Sequence, residues 1–329
     1  GGCIATWSSA GQFPVPRSSL TRLLKMSAGK GLIFLEAKSS ILYEQLLPRI
    51  LGDKREPCEI TFYDFDNVHF KLSCASESLS VVQVHVAMTG VDELKKLGAQ
   101  EVLDRLYPGM EIPPDKTYNY ALQFDCDNLP VSDKGAFLTC VAELKRNLAS
   151  GPLDRAFSAL LAGTSGNLGP SVCAYRRAES MYVVPAASKV VVVFQVDFAD
   201  ITDKAVARVF LQEFVEAQRT VRTAPPVQFS KDPLGEMAGL PVTQNPDTNA
   251  GFISFALEER HLQGPGKEKA ISLLTGFRNY LHYHIKCSKT YLHMRMRKRV
   301  ATWMLVLNRA MPEIEGEKKT AGGKTFTRK

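Results

Sequence analysis

The residues whose side chains could bind a metal ion or an acidic partner lie between positions 280 and 300, where the chain reads YLHYHIKCSKTYLHMRMRKRV. This stretch holds three of the six histidines, one of the seven cysteines and six Lys or Arg residues. Histidine and cysteine side chains together could bind zinc, whereas the basic side chains could bind nucleic acid or another acidic polymer. The elements around the stretch decide between these readings.

Helical spacing argues against a zinc site. Apolar residues recur at helical spacing from near Pro265 onward, which predicts one long helix. On a helix, His282 and His284 are about 200° apart around the axis, and His293 lies about 16 Å further along. Only His284 and Cys287 could then share an ion, whereas a structural zinc site has four ligands. We therefore predict no metal site.

The positive charge of the chain is concentrated in this predicted helix. The net charge is +7, and residues 269–311 contain nine Lys or Arg residues without a single Asp or Glu. Six basic or histidine residues share one wedge of about 100° on a helical projection: Arg278, His282, Lys286, Lys289, His293 and Arg297. A localised basic stripe of this kind predicts an acidic partner, although a solvated basic face without a partner remains the alternative.

Two apolar flanks border the basic wedge. One flank includes Leu274, Phe277 and Leu281, and the other includes Tyr283 and Met294. A helix of this length spans about 65 Å, which is longer than one small domain. We therefore expect one flank to pack on the chain's own domain and the other on another protein.

The remaining elements predict the fold class. Alternating apolar residues in 59–73, 80–88 and 117–127 indicate strands, with a hairpin turn at Asp66 and Asn67. Helical patterns at 39–51, 91–107 and 133–150 accompany them, and a similar order recurs in the second half. These patterns predict an α+β protein with two structurally related domains, whose antiparallel meander sheets are flanked by helices, plus a long C-terminal helix.

The predicted domain boundaries follow from composition as well as from periodicity. We expect a disordered extension at 1–30, for which a transit peptide is the alternative reading. The first α+β domain is predicted at 31–150 and the second at 151–264. A long helix at 265–312 packs on the second domain and on a partner, and a basic tail follows at 313–329. The proline-containing loop 231–251 is expected to be disordered or to form part of an interface.

No motif predicts an enzyme or a membrane protein. The sequence AGGKT at 321–325 lacks the first glycine of a phosphate-binding loop, because position 318 is Lys. Asp64 and Asp66 could bind a divalent ion, but a polar hairpin turn is the favoured reading. Neither G-x-S-x-G nor H-E-x-x-H occurs, and no apolar run approaches the roughly 18 residues of a membrane span.

Several long motifs resemble one known family. FRNYLHYHIKCSKTYLHMRMRKR (277–299), VLNRAMP (306–312) and GKTFTRK (323–329) closely resemble the p34-Arc family of the actin-related protein 2/3 complex. EITFYDFDNV (59–68) and YNYALQFDCDNLP (118–130) are similar to it as well, and the matches run collinearly through almost everything after Gly31.

The resemblance implies a function. It implies two related α+β domains and a long C-terminal helix that pairs with the long helix of subunit 4 and faces the side of the mother actin filament. It implies no catalytic activity and no cofactor, because the actin-related subunits bind the nucleotide. The partners expected from the resemblance are the other subunits of the complex, especially subunit 4, and the actin filament. Neither membrane nor nucleic acid is expected as a partner, and the location is the cytoplasmic actin cytoskeleton.

The resemblance does not assign individual contacts, so two sets of residues are predicted. The residues expected to contact the actin filament are Lys286, Lys289, Arg295, Arg297, Lys298 and Arg299. The residues expected to pack on the partner subunit are Tyr280, Tyr283, Tyr291, Met294, Trp303 and Leu305. The alternative function is a nucleic-acid-binding protein that holds phosphates with the basic C-terminal helix.

Overall fold

The computed structural model describes six stretches of the chain and two short backbone pairs. The stretches are 36–52, 55–176, 179–198, 200–220, 224–242 and 251–310, and the pairs are 318–319 and 325–326. The predicted extension at 1–30 and most of the predicted tail at 313–329 therefore lie outside the described residues. The described residues form two compact units, one ending at Tyr283 and the other beginning at His284.

A four-stranded antiparallel sheet with strand order β1-β2-β3-β4 forms in the first half of the chain. Its strands are β1 (Cys58–Asp64), β2 (Val68–Cys74), β3 (Val81–Ala87) and β4 (Tyr120–Asp125). The helices around it are α1 (Ser40–Ile50), α2 (Val91–Leu94), α3 (Gln100–Leu106), α4 (Lys134–Ala142) and α5 (Leu144–Ala149). One core joins α1 and α4 to the inward residues of the strands, including Leu42, Phe70 and Phe137.

The predicted hairpin turn at Asp66 and Asn67 is confirmed. Both residues have positive φ, at 66° and 57°, inside a 3₁₀ turn between β1 and β2. Asp and Asn tolerate this left-handed conformation better than most residues do, because their short side chains can form local hydrogen bonds. On β2 every second side chain is buried, as the alternating sequence predicted.

The predicted helix at 91–107 is interrupted, which corrects that prediction. A π-helical turn at Lys95–Ala99 separates α2 from α3, and Gly98 has a φ of +111°. The cause is a close approach to Gly151 at the start of α6 (Gly151–Leu161), where a Cβ atom would lie 2.2 Å from the amide nitrogen of Ala99. Glycine tolerates the positive φ at position 98, and its lack of a Cβ atom permits the close approach at position 151. The chain therefore bends here instead of continuing as one helix.

A five-stranded antiparallel sheet with strand order β5-β6-β7-β9-β8 follows. Its strands are β5 (Ser171–Arg176), β6 (Glu179–Pro185), β7 (Lys189–Val196), β8 (Val227–Ser230) and β9 (Gly251–Glu258). The later helices are α7 (Ile201–Thr220), α8 (Glu259–Leu262) and α9 (Gly266–Ala310). Residues 318–319 and 325–326 pair as two short antiparallel strands, β10 and β11.

Strand β7 is covered on both faces, which explains its continuous apolar run. Val191 and Val193 pack with Met237, which lies in a 3₁₀ turn of the segment 231–242. On the opposite face, the Phe194 ring lies 5.3 Å from the Phe277 ring of α9. A strand buried on both faces reads as an unbroken apolar sequence instead of an alternating one.

The predicted α+β class is confirmed by the two antiparallel sheets, their flanking helices and the long C-terminal helix. Helix α9 runs over Gly266–Ala310, close to the predicted 265–312. The domain boundaries stay predictions, because α6 packs both on the π-helical turn of the first half and on β6 and β7 of the second sheet. No helix in the described part of the chain is long and apolar enough to cross a membrane.

Candidate interaction surface on the C-terminal helix

The first part of α9 is held by the chain's own core. Ala270, Ile271, Leu274, Phe277 and Leu281 are all buried, and the spacing of three or four residues from Ala270 to Leu274, Phe277 and Leu281 places these four on one helical face. The Phe277 ring also meets the Phe255 ring of β9 edge to face, at 4.7 Å between centroids. This stem, residues 266–283, therefore has the apolar flank that the sequence predicted to pack on its own domain.

The distal part of α9, residues 284–310, carries a large exposed apolar surface. Ten large apolar side chains between Tyr291 and Leu307 are 50–64% exposed. They are Tyr291, Leu292, Met294, Met296, Val300, Trp303, Met304, Leu305, Val306 and Leu307. Exposed apolar surface on this scale marks a site of interaction with another molecule.

Five basic side chains on the distal segment have no acidic partner among the described residues. Residues 284–310 contain no Asp or Glu, so no carboxylate of the segment itself can pair with them. Lys286, Arg295, Arg297, Lys298 and Arg299 are exposed, and none forms an ion pair with another described residue. Lys289, the sixth predicted filament-contact residue, is half-buried.

Arg295 makes one local contact that orients its side chain. Its Nη1 donates a hydrogen bond to the Tyr291 hydroxyl at 3.2 Å, and its guanidinium carbon lies 5.6 Å from the centre of the Tyr291 ring. This is a cation–π contact between residues four apart on a helix. The charge and the aromatic surface therefore form one exposed feature, which a partner would meet together.

The six predicted partner-packing residues are in different environments. Tyr291, Met294, Trp303 and Leu305 are exposed on the distal segment. Tyr283 is half-buried. Tyr280 is buried within the chain, where its ring lies 5.8 Å from the Phe210 ring of α7 and burial raises the pKa of its phenol to about 12. A buried ring presents no surface to another subunit, so Tyr280 is left out of the surface proposed below.

Two members of the predicted basic wedge, Arg278 and His282, lie in the stem and face acidic groups of their own chain. The Arg278 guanidinium donates hydrogen bonds to Glu179 and Asp66, at 2.7 and 3.1 Å. His282 Nε2 lies 3.9 Å from Glu179 Oε1. These two residues therefore belong to an internal cluster, and the exposed basic surface starts only at Lys286.

The Asp64 and Asp66 pair has a role that the sequence reading missed. Asp64 accepts a hydrogen bond from the Phe65 amide at 2.7 Å, and Asp66 binds side chains of α9. In the described part of the chain, no group of three or more His, Cys, Asp or Glu side chains is arranged to hold a metal ion. The sequence signal that could have indicated the link is Arg278 and Asn279, two polar residues next to buried positions of the stem.

Comparisons with known proteins identify the family of the chain. The family model described as "Arp2/3 complex, 34 kD subunit p34-Arc" matches residues 84–314. The chain belongs to the p34-Arc family. The curated protein "Actin-related protein 2/3 complex subunit 2" of Schizosaccharomyces pombe is 35% identical over 318 residues, covering 90% of this chain and all of the relative. The protein of the same name in Dictyostelium discoideum is 34% identical over 300 residues, covering 90% of this chain and 99% of the relative.

Membership in this family confirms the coarse functional predictions. The chain is a subunit of a heteromeric complex in the actin cytoskeleton, and its family is one of non-catalytic subunits. The matched region includes most of the described sheets and the whole of α9. It therefore favours the complex-subunit hypothesis over the nucleic-acid-binding alternative.

Proposed function

We propose that residues 284–310 of α9 form the assembly and filament-docking element of this subunit. The exposed apolar side chains pack on another subunit, for which subunit 4 is the candidate, and the basic side chains face the side of the mother filament. The observation that carries the proposal is the coexistence of ten exposed large apolar side chains and five unpaired basic residues on one segment without acids.

The apolar side chains support the assembly role. Burying one large apolar side chain contributes about 1.5–3 kcal/mol, so leaving ten of them in water is costly unless a partner covers them. Tyr291, Met294, Trp303 and Leu305 are the packing residues in this proposal. Aromatic and Met side chains are also the types enriched at the centre of protein interfaces.

The basic side chains support the filament role. The actin filament offers an acidic surface, and complementary charge speeds association and fixes the register of binding. Lys286, Arg295, Arg297, Lys298 and Arg299 are exposed cations without acidic neighbours on the segment, so an acidic surface can bind them without first breaking an internal ion pair. The half-buried Lys289 lies on the same wedge and completes the proposed set.

In this proposal the subunit has no catalytic step of its own. It scaffolds the actin-related protein 2/3 complex and anchors it to an existing filament while a branch is nucleated. Such a role places the chain in the cytoplasmic actin cytoskeleton, as part of the assembled complex.

The test is a charge reversal in the reconstituted complex. Arg297→Glu with Lys298→Glu should weaken co-sedimentation with actin filaments by about tenfold or more, because reversing two charges replaces attraction to an acidic surface with repulsion, and close charge pairs at some interfaces contribute about 1.5 kcal/mol or more. Assembly, measured by size-exclusion chromatography, should be unchanged. The matched control is Lys96→Glu with Lys116→Glu, which makes the same charge change at two exposed lysines of the first half.

The outcomes separate the two roles. If the double variant fails to assemble, Arg297 and Lys298 face the partner subunit and the filament assignment is wrong. If the control weakens filament binding equally, the effect comes from overall charge rather than from this surface.

A further inference from the structure

The two sheets are joined at more than one place, and a cleft lies between them. Helix α6 packs on the π-helical turn of the first half and on β6 and β7 of the second sheet. The cleft has a volume of about 610 Å³, and its lining comes from both sheets and from the stem of α9. Phe62 and Met88 lie on the side of the first sheet, Cys173 and Met181 on the side of the second, and Leu274 on the stem. A cleft of this size leaves part of the space between the sheets without apolar packing. Polar contacts at its wall therefore provide a larger share of the interactions that hold the sheets together.

A cluster of charged side chains, here called the ionic junction, lies at this cleft. It consists of Asp64, Asp66, Lys145, Arg176, Glu179, Arg278 and Asn279. Asp66 stands at the tip of the β1–β2 hairpin and accepts hydrogen bonds from Arg278 at 3.1 Å and from Asn279 at 2.7 Å. Its carboxylate also lies 3.6 Å from the Lys145 ammonium. The hairpin of the first sheet is thus tied directly to the stem of α9.

Glu179 ties the same arginine to the second sheet. Arg278 Nε donates to Glu179 Oε2 at 2.7 Å, while the Asp197 amide donates to Glu179 Oε1 at 3.1 Å. Arg278 therefore uses two edges of one guanidinium to hold two carboxylates that belong to different sheets. A lysine has no planar fork, so it would not hold the two carboxylates in the directions that the guanidinium fixes.

The centre of the junction is largely shielded from water, Arg176 at its edge is 34% exposed, and the charges balance. The Asp66 and Arg278 side chains are 14% and 13% exposed, and that of Glu179 is 4% exposed. Arg176 Nε lies 3.4 Å from Asp66, so the two arginines and Lys145 face Asp64, Asp66 and Glu179 with equal charge. Removing one member of a buried, balanced set leaves an uncompensated charge, which is strongly destabilising for that contact.

We propose that the ionic junction locks the two sheets at one fixed angle and keeps the cleft between them closed to large solutes, with Arg278 as the positioning residue. The left-handed conformation of Asp66 supports this role, because it aims the carboxylate out of the hairpin turn toward α9. The lock is independent of the distal surface proposed for filament binding, since all its members lie before residue 284.

The thiol of Cys173 offers a direct readout of the lock. Cys173 lines the cleft, is 5% exposed, and has a pKa raised to about 12 by burial, so it reacts slowly with thiol reagents while the cleft is closed. Cys126 is fully buried in the core of the first half and reports on unfolding of that core instead. Mass spectrometry of maleimide-labelled peptides measures both rates in the assembled complex.

The decisive variant is Asp66→Asn, which keeps the shape of the side chain and removes its charge. We expect Cys173 to be labelled about tenfold faster or more, because hydrogen bonds to a charged carboxylate are stronger than those to a neutral amide. Labelling of Cys126 should not change. The matched control is Asp154→Asn, which breaks an ion pair to Lys267 of α9 at similar exposure, 13% for Asp154, and lies outside the cleft lining.

Arg278→Lys is the second variant, and it decides the question if Asp66→Asn does not assemble. It keeps the positive charge but removes the planar fork that orients both hydrogen bonds, so Cys173 labelling should accelerate while Cys126 stays protected. Unchanged Cys173 labelling in Arg278→Lys overturns the proposal. Parallel acceleration of Cys173 and Cys126 also overturns it, because the junction would then serve overall stability and not the angle between the sheets.

Discussion

The stem and the distal segment of α9 have similar residue types but opposite environments. In the stem, Leu281 is fully buried and Arg278 is hydrogen-bonded to two carboxylates. In the distal segment, Leu305 is 61% exposed and Arg297 has no acidic partner among the described residues. The chain thus buries and pairs these residues of the stem itself, whereas the corresponding residues of the distal segment stay exposed, which is what the proposed partners would cover.

The largest effect is expected from removing the distal apolar side chains. Trp303→Ala with Leu305→Ala should abolish assembly, because central interface residues such as Trp contribute about 2 kcal/mol or more each. Co-elution of the subunits on size-exclusion chromatography measures assembly of the complex. The control is Ile201→Ala with Val209→Ala, which removes two exposed apolar side chains of α7, 72% and 71% exposed. Normal assembly of the Trp303 variant would show that the exposed apolar side chains of the distal segment are not needed for packing on another subunit.

The next effect separates the segments by stability. Leu281→Ala should destabilise the chain by about 2–5 kcal/mol, because it creates a cavity in a packed core. Leu292→Ala, the same substitution at a 52% exposed position of the same helix, should change the stability of the chain without partners by no more than about 0.5 kcal/mol. Thermal unfolding of the chain expressed alone measures both. Equal losses would show that Leu292 is covered by this chain.

A smaller effect should separate the lysines of the two segments. Lys286→Ala should weaken filament binding by the assembled complex a few-fold and make it less sensitive to salt, because exposed charges act through a screened field. Lys267 of the stem is paired with Asp154 at 2.8 Å, so Lys267→Ala should leave the salt dependence unchanged. Co-sedimentation at several salt concentrations tests the pair. Identical salt slopes for Lys286→Ala and the unaltered complex would contradict the filament role of Lys286.

The smallest effect concerns pH. His261, just before the stem, accepts a hydrogen bond from the Glu258 amide through Nδ1 at 2.9 Å. Burial, followed by the nearby charge of Arg260, lowers the pKa of His261 below its ordinary value of 6.5. The folded state therefore binds this proton less readily than the unfolded state does, so stability should fall as the pH drops below about 6.5.

The pH effect is checked by the melting temperature of the complex between pH 7.5 and 5. His261→Gln should flatten the acid side of this profile, whereas His293→Gln, at an exposed distal position, should not alter it. A profile that is unchanged in His261→Gln would show that other groups cause the acid sensitivity.

Much of the fold could be predicted because it depends on local patterns. The alternation on either side of Asp66 and Asn67 predicted the hairpin, and helical spacing predicted α9 to within about two residues at each end. The break at Gly98 could not be predicted, since it depends on the approach of Gly151 from a segment about fifty residues later in the chain. The loop 231–251 was expected to be disordered or at an interface, yet its described part, up to residue 242, packs Met237 into the core of the second sheet.

The site was predictable to a lesser degree. Composition and spacing indicated a basic, acid-free helix with two apolar flanks, and the exposed residues from Tyr291 to Leu307 agree with a surface left for a partner. The helical projection could not show that Tyr280 is buried against Phe210, because α7 is distant in sequence. Nor could it show that Arg278 pairs with Asp66 across 212 positions of the chain.

The sequence by itself determined the identity of the elements, the family and the concentration of positive charge in one helix, because periodicity, motifs and composition are properties of neighbouring residues. The tertiary structure alone decided which part of that helix has its apolar side chains buried and its charged side chains paired within the same chain. Burial and ion pairing depend on residues brought together from distant positions, and a helical projection treats Arg278 and Arg297 as equivalent. In the folded chain Arg278 donates hydrogen bonds to carboxylates near both sheets, and Arg297 is exposed.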